Sequence, residues 1–408
     1  MKKLIQSLSA FIMLLIYPVC SFSNTLIEDT SAVSAISYNM INPHIDFNRV
    51  SSYTLGWSPN VNYQEHSIKF LGAYSFGLNK LLGEIEFNYH ILKSGNLNIS
   101  CNTSLFSKIP TLSLNEKNPR IVNSLMAVTL GWDYYDYYES NGLSVSLFGS
   151  YKNIEVKWIV QYSSQYSLSN KTKGSLFFNT DSRDNRKISD GSYGELRMNI
   201  LVNNIKILSN TILKNTKLNI NGFYGRKLDY QRNSNSSFGG AEAKLSTDLS
   251  TYRKGDVHLK LNILLHGGIG TADLPDQYKY KMPTHHYFSG SHASFISAPE
   301  SKYGGRKFFI LHASYNLTDY LWKLAGLPVY KGNGPELVIS ATTGKYVNND
   351  NIYKSTSGSF YNEMGVGFIN IPIPGLRKGF CGVEGMWGIG PEAAGNFGLK
   401  LSLKVEDF

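Results

Sequence analysis

The chain is dominated by a period of two. Gly83, Ile85, Phe87, Tyr89 and Ile91 alternate with Glu84, Glu86, Asn88 and His90. Leu143, Val145, Leu147, Gly149 and Tyr151 alternate with serines, Phe148 being the exception. Ile154, Val156, Trp158, Val160 and Tyr162 alternate with Glu155, Lys157 and Gln161, and the pattern returns at 218–224, 257–265, 309–315 and 397–405. Strict alternation puts one face of a strand in an apolar medium and the other in a polar one. A helical spacing is predicted at Asn316–Leu327, where Leu317, Leu321 and Leu324 recur, and that stretch is expected to cap one end of the fold.

Two architectures use such strands. A soluble sandwich or barrel buries the apolar face in its core, whereas a transmembrane barrel turns it to lipid. The alternating stretches run to about 9–11 residues, the length of a tilted spanning strand. The run Tyr134-Tyr135-Asp136-Tyr137-Tyr138 suits an interfacial aromatic girdle. Connections differ sharply in length: Tyr151–Ile154 is a tight turn, while Asn170–Gly194 and Gly270–Tyr303 are long and polar. Short turns at one end and long loops at the other are the asymmetry of an outer-membrane barrel. The predicted fold class is therefore all-β, a closed antiparallel transmembrane β-barrel of about 16 strands with a long loop folded into the lumen. Residues 1–23 are expected to be a signal peptide, 24–48 a short N-terminal segment and 49–408 the barrel. Leu261 and Leu401 are expected to face lipid, and Glu84, Glu86, Lys260, Lys400 and Lys404 the lumen. A soluble secreted β-protein is the alternative.

Composition narrows the classes further. Hydrophobic residues make up 42% and aromatic residues 13%, which is too much burial potential for a disordered chain. No apolar run beyond the N-terminus reaches the roughly 18 residues of a spanning helix. At the N-terminus itself, Lys2 and Lys3 precede the apolar Ala10–Tyr17, and Ser21-Phe22-Ser23 offers small residues before a cleavage site. A lipid anchor on Cys20 is the weaker reading, because Val19 fits poorly before it. Removing Lys2 and Lys3 lowers the formal net charge from +10 to +8. The cations are scattered along the chain, so nucleic acid is not an expected partner, whereas outer-membrane lipid or lipopolysaccharide is. Cys101 and Cys381 remain, to pair in an oxidising compartment or to stay as thiols.

The search for chemistry returns little. His285 and His286 are adjacent in a long loop without ligand spacing, and Asn348-Asn349-Asp350-Asn351 lacks the glycine and bidentate Glu of a calcium loop. His266-Gly267-Gly268 is similar to an oxyanion loop, but no nucleophile elbow accompanies it. Gly267-Gly268-Ile269-Gly270 is neither a Walker A motif nor a dinucleotide fingerprint. A Ser–His–acid site on the barrel wall is the enzyme alternative and has the least support. No catalytic, metal or cofactor site is expected, and the protein is read as a non-enzyme.

The C-terminal half resembles the barrel of the BamA/TamA outer-membrane family, also called the bacterial surface antigen family. The residues that carry the resemblance are the strand Val257–His266 with Gly267–Gln277 after it, and Tyr303-Gly304-Gly305-Arg306-Lys307-Phe308-Phe309 leading into the next strand. Met364–Asn370 and Asn396–Val405 are similar to the family's last strands. Asp133–Tyr138 and Asp273-Leu274-Pro275-Asp276-Gln277 look more like barrels that follow a carboxypeptidase-regulatory-like domain. The resemblance implies that the loop bearing Asp273, Leu274, Pro275, Gln277, Phe288 and Gly290, and closing at Gly304 and Gly305, folds into the lumen. It also implies localisation in the bacterial outer membrane and a role in protein or lipid assembly or translocation there, with periplasmic or outer-membrane partner proteins. A passive porin-like channel and a structural surface barrel are the alternatives. Two departures stand out. The family's Arg-Gly-aromatic loop tip, which docks against an acidic partner, is replaced by Phe288-Ser289-Gly290-Ser291-His292. Only 24–48 separates the expected leader from the expected barrel, too little for substrate-handling periplasmic domains. Phe408 resembles a terminal aromatic assembly signal, although Lys404 and Glu406 sit in its apolar phase.

Overall fold

A computed structural model of the chain describes residues 36–39, 43–112, 120–131, 133, 135–172, 183–205, 213–228, 236–254, 257–284, 287–288, 295–299, 302–326, 334–348, 354–356, 359–373 and 379–405. The predicted signal peptide, His285, His286, Gly290, Asn349–Asn351 and Phe408 lie outside the described residues.

Among the described residues, sixteen wall strands run up and down in one antiparallel sheet, each paired with its neighbour in sequence. They are β1 (Ile36–Asn39 and Pro43–Asn48), β2 (Ser52–Trp57 and Asn60–Tyr63), β3 (His66–Ser75), β4 (Lys80–Ser94), β5 (Leu97–Lys108), β6 (Tyr138–Tyr151), β7 (Ile154–Ser167) and β8 (Gly191–Val202). The series continues with β9 (Leu213–Leu228), β10 (Ser237–Lys254), β11 (Val257–Gly270), β12 (Lys307–Asn316), β13 (Glu336–Val347), β14 (Tyr361–Pro372), β15 (Gly379–Ile389) and β16 (Phe397–Val405). β2 counts as one strand because both its parts keep a single register against β3, from Thr54 opposite Ser75 to Tyr63 opposite His66. Pro59, which has no N–H to give, stands at the interruption.

The sheet begins earlier than expected. β1 is drawn from the 24–48 segment, whose backbone finds its partners on β2. Several strands are also longer than the apolar stretches suggest, β10 reaching 18 residues, whereas β16 keeps the expected 9. The ladder outlasts the apolar band because backbone pairing continues wherever neighbours do, whatever their side chains.

The two ends differ. One end carries the connections 64–65, 95–96 and 152–153, each a tight turn, together with 317–335. The opposite end carries 109–137, 168–190 and 271–306, and these are called here the turn end and the loop end. Both long excursions predicted from sequence belong to the loop end.

Alternation sorts the two faces as read. Leu105, Leu147, Trp158, Val160, Ile339, Val366 and Trp387 are exposed on the outer face. Ser104, Ser146, Ser163, Ser314, Ser340 and Lys400 are buried on the inner one. This inverts the arrangement of a soluble protein and is the geometry of a barrel whose outer wall meets lipid. No helix among the described residues is long and apolar enough to cross a membrane. Cys101 and Cys381 are free thiols on β5 and β15, far apart in the strand order.

Among the described residues, two α-helices punctuate the connections. α1 (Arg120–Leu130), which the sequence reading missed, packs along β1. α2 (Tyr320–Leu324) falls within the predicted helical stretch at the turn end. It does not cap the lumen: its residues are unburied and Trp322 lies edge-on to Phe368, a residue of the outer face.

With the faces so assigned, a cation in mid-wall is costly on one side only. Val160→Arg should lower unfolding stability in lipid vesicles by about 2–4 kcal/mol. Gln161→Arg, which faces the lumen opposite Glu195, should cost clearly less. Urea titration of both variants checks this, and equal losses would overturn the assignment.

Candidate functional site: the plugged lumen

The 271–306 connection leaves β11, enters the barrel and returns to β12. Its first turn is built by local chemistry. Pro275 is in extended conformation and opens the single turn Asp276–Tyr278, which seats Gln277 and Tyr278 inward. Leu274, Tyr193, Phe238 and Tyr278 form one buried apolar cluster, with Phe238 and Tyr278 ring centroids 4.8 Å apart. Polar groups in the same place are satisfied in pairs. The Tyr278 hydroxyl donates to Glu195, Gln165 donates to the Tyr278 oxygen at 2.9 Å, and Gln277 donates to the Gln165 carbonyl at 2.9 Å. Arg197 donates to Glu195 at 2.8 Å, so the carboxylate that holds the loop is itself held by the wall.

A second anchor lies on the far side. The Glu363 carboxylate accepts the N–H of Ile296 at 3.0 Å and of Ser297 at 2.8 Å, plus the Ser297 hydroxyl at 2.8 Å. Around it Tyr280, Met282, Phe295, Tyr303, Phe308, Tyr346 and Tyr361 form the largest buried cluster among the described residues. The wall makes room with inward-facing glycines. A Cβ on Gly344 would stand 2.6 Å from the Phe295 ring, and one on Gly398 would strike the Ile296 carbonyl.

The third anchor is electrostatic. Asp136 is fully buried and its carboxylate is met by Arg49 at 2.9 Å, Arg183 at 2.6 Å, Lys281 at 3.4 Å and Arg186 at 3.8 Å. Asp133 accepts the Arg49 backbone N–H at 2.8 Å and orients it. Four separate segments therefore meet on one carboxylate: the β1–β2 turn, the β5–β6 and β7–β8 connections, and the plug. Burial pushes the Asp136 carboxyl up, but Lys281, Arg183 and Arg49 overcome it and hold the group well below the usual carboxylate range.

The barrel curls round this plug far enough for one connection to touch both ends of the sheet. Lys281 reaches the network of the first turn, while Tyr287–Phe288 pairs in parallel with Lys400–Leu401 on β16. Among the described residues β1 and β16 do not pair with each other as a closed ladder would, and each outer edge is met at one point by a connection. Tyr53 gives its carbonyl to Phe76 on the β3 side, so Phe47 opposite it turns its own N–H outward, and Ser124 of α1 accepts that N–H at 3.0 Å. Contacts of this kind hinder open strand pairing at an edge.

The loop residues singled out from sequence fare differently. Leu274, Pro275 and Gln277 are buried in the plug, and Gly304–Gly305 pairs with Tyr280–Lys281 inside it. Asp273 is exposed at the loop's start, and Phe288 lies beside Leu401 through its backbone. The aromatic run around Asp136 is not a lipid-facing girdle. Tyr135 and Tyr137 are buried with Val50, Leu82 and Ile109, because their connection folds inward to bring Asp136 to its cations. Arg49, Asp136, Glu195, Tyr278, Lys281 and Glu363 were not picked out from sequence. A signal for some of their surroundings exists: Phe308-Phe309-Ile310-Leu311 is apolar on both phases, where one wall face meets lipid and the other meets the plug.

Below the plug, Asn262, His312, Ser314, Ser340, Glu384 and Lys400 line a small polar cavity toward the turn end. Lys400 and Glu384 are paired at 2.8 Å, and His312 is bonded to Thr342 at 2.9 Å. His266 is paired with Glu242 at 3.3 Å and packs edge-on to Phe308. Among the described residues no three His, Cys, Asp or Glu side chains converge as metal ligands.

No family model matches this chain, and no curated protein matches it. Solved structures do. CdiB from Acinetobacter baumannii is similar over 91% of this chain at 10% identity and a TM-score of 0.43, and this chain spans 60% of it. Pseudomonas aeruginosa OccK2 (OpdF), in a complex with glucuronate, is similar over 90% of this chain and 95% of its own, at 10% identity and a TM-score of 0.31.

The anchors make two predictions. Asp136→Asn leaves buried cations uncompensated and should cost roughly 3–5 kcal/mol, with trypsin cleaving at Lys279, Lys281 or Lys302 sooner than in the parent. Because the folded carboxyl titrates below its unfolded value near 3.9, the anchor is complete above that pH and lost as pH falls through the folded value. Protection of the plug should therefore be flat from about pH 5 to 8 and fall only in stronger acid; a drop between those values would count against the network. Gly344→Val should displace Phe295 and expose the same lysines while the wall's strand content, read by circular dichroism, is unchanged.

Proposed function

We propose that this chain is an integral barrel of the bacterial outer membrane whose lumen is closed by its own 271–306 connection, and that it serves protein or lipid translocation or placement there. The turn end would face the periplasm and the loop end the cell surface, the orientation that barrels with this asymmetry adopt. The observation that carries the reading is the manner of plugging. The occluding segment is held by three separable anchors, at Glu195, Glu363 and Asp136, each a set of hydrogen bonds or ion pairs to the wall or its connections. Such contacts can be exchanged for others without breaking the ladder of the wall. The resemblance of Val257–Gln277 and Tyr303–Phe309 to the BamA/TamA family supports the same reading. The plug carries a cation of its own to a buried carboxylate, Lys281 on Asp136, although from a position before the Phe288–His292 region where the family's arginine is missing. Partners would be outer-membrane lipid or lipopolysaccharide on the outer wall, and periplasmic or outer-membrane proteins at the turn end. No catalytic role is assigned.

A passive channel is the second reading, favoured by the polar lining of the cavity beneath the plug. Conductance in planar bilayers separates the two, recorded from the intact protein and from a variant lacking 271–302. Silence that becomes steady conductance on removal of the segment is the expected result. Steady conductance from the intact protein would establish the passive channel instead. Silence from both, in protein shown to be folded, would overturn an open lumen altogether.

A further inference from the structure

The outer wall is not uniformly covered by side chains. Gly72 on β3 and Gly83 on β4 stand directly opposite each other in the register, and both belong to the outward phase. A Cβ on Gly72 would meet nothing within 4 Å. The pair forms the floor of a groove of about 750 Å³ whose walls are Trp57, Phe70, Leu81, Ile85 and Leu105. That volume lies within the range of small-ligand sites, and the lining is almost wholly apolar. Its walls include some of the most exposed apolar side chains of the molecule, Leu81 at 71% and Leu105 at 61%. Gly149, another outward glycine with open space above it, lies between Ile99 and Val156 instead of a second glycine.

The groove also has a depth. Toward the loop end it is bounded by exposed Tyr53, Tyr74 and Phe76, with the Tyr74 and Phe76 rings 5.1 Å apart. Toward the turn end come Tyr89 and His66, stacked at 4.5 Å. Aromatic rims of this kind mark the two interfaces of a bilayer, so the groove lies in the hydrocarbon layer between them. It is continuous with the apolar outer face of the wall, and its polar lining is confined to Ser107 and to Glu84, which turns inward to Lys108.

We propose that this groove is a lipid-binding site that holds one acyl chain of a bilayer lipid against the Gly72–Gly83 floor. The inference rests on the membrane reading of the wall. An open dimple in hydrocarbon loses its contacts unless something fills it, and a flexible chain is the filler always present. The glycine pair lets that chain lie against backbone, with Trp57 and Phe70 along its flanks. A lipid seated here would be held longer than lipids elsewhere round the barrel.

The test uses the full chain in vesicles of palmitoyl-oleoyl phosphatidylethanolamine and phosphatidylglycerol. Alkaline extraction first establishes insertion, and native mass spectrometry of the detergent-released protein then counts retained lipid. One lipid per chain is expected in the parent and in Gly149→Phe. Gly72→Phe should retain about tenfold less, the effect of losing some ten carbon–carbon contacts. Brominated acyl chains should quench Trp57 fluorescence, in a variant with Phe at the other four tryptophans, more strongly before Gly72→Phe is added than after. Protein that inserts but retains no lipid, or loses it equally in Gly149→Phe, overturns the groove and leaves the membrane reading intact. Protein that fails to insert overturns both. Crosslinking from Leu81→Cys to a second polypeptide in place of lipid would also overturn the proposal, in favour of a protein contact.

Discussion

The fold depends on one requirement: a backbone that faces hydrocarbon has nowhere to place its N–H and C=O groups except on neighbouring strands. Sixteen strands in an unbroken antiparallel order meet it along the wall. The requirement is hardest at the two outer edges of the sheet, and there the protein recruits its own connections. Ser124 of α1 accepts from Phe47 on β1, and Tyr287–Phe288 lies along β16. The plug therefore fills the lumen and also meets the edge of the wall at Lys400–Leu401.

The same requirement explains how the interior is organised. Inward side chains stand in a polar phase near the turn end, where serines, asparagines and the Glu384–Lys400 pair face one another. Near the loop end the inward phase becomes aromatic, because there it meets protein instead of water. Charges that enter this packed region are paired, and Asp136 is the extreme case, with three guanidinium groups and one ammonium around it. A carboxylate so placed stabilises the plug only while all parties are present, since a buried charge without its partners costs far more than the pair contributes. The plug is thus fixed by contacts that are strong together and individually exchangeable.

Outside, the wall answers to lipid alone. Exposed aliphatic and aromatic residues cover most of it, and small residues leave relief in that surface. The Gly72–Gly83 groove lies at hydrocarbon depth between two aromatic rims, which is why its occupant is sought among lipids. At the turn end Trp322 of α2 packs edge-on against the outer residue Phe368.

The sequence by itself determined the wall. Alternation at 83–91, 143–151 and 154–162 requires one apolar and one polar surroundings, and the faces of those strands follow from it without any knowledge of neighbours. The difference between tight turns and long loops was legible for the same reason, since it is a property of the local chain, whereas the strand number followed from chain length and the usual span of a strand with its connection. The burial of Leu274 and Gln277 in the plug was readable only through resemblance. Tertiary structure decided the rest. Asp136 lies among tyrosines that look like an interfacial girdle, and only the meeting of Arg49, Arg183, Arg186 and Lys281 from distant segments makes it an anchor. Glu195 and Glu363 occupy ordinary polar phases of their strands, and what they bind arrives on the 271–306 connection. Alternation reports the medium a face meets. It carries no information about which remote residue that medium contains, because such contacts depend on how the whole sheet curls.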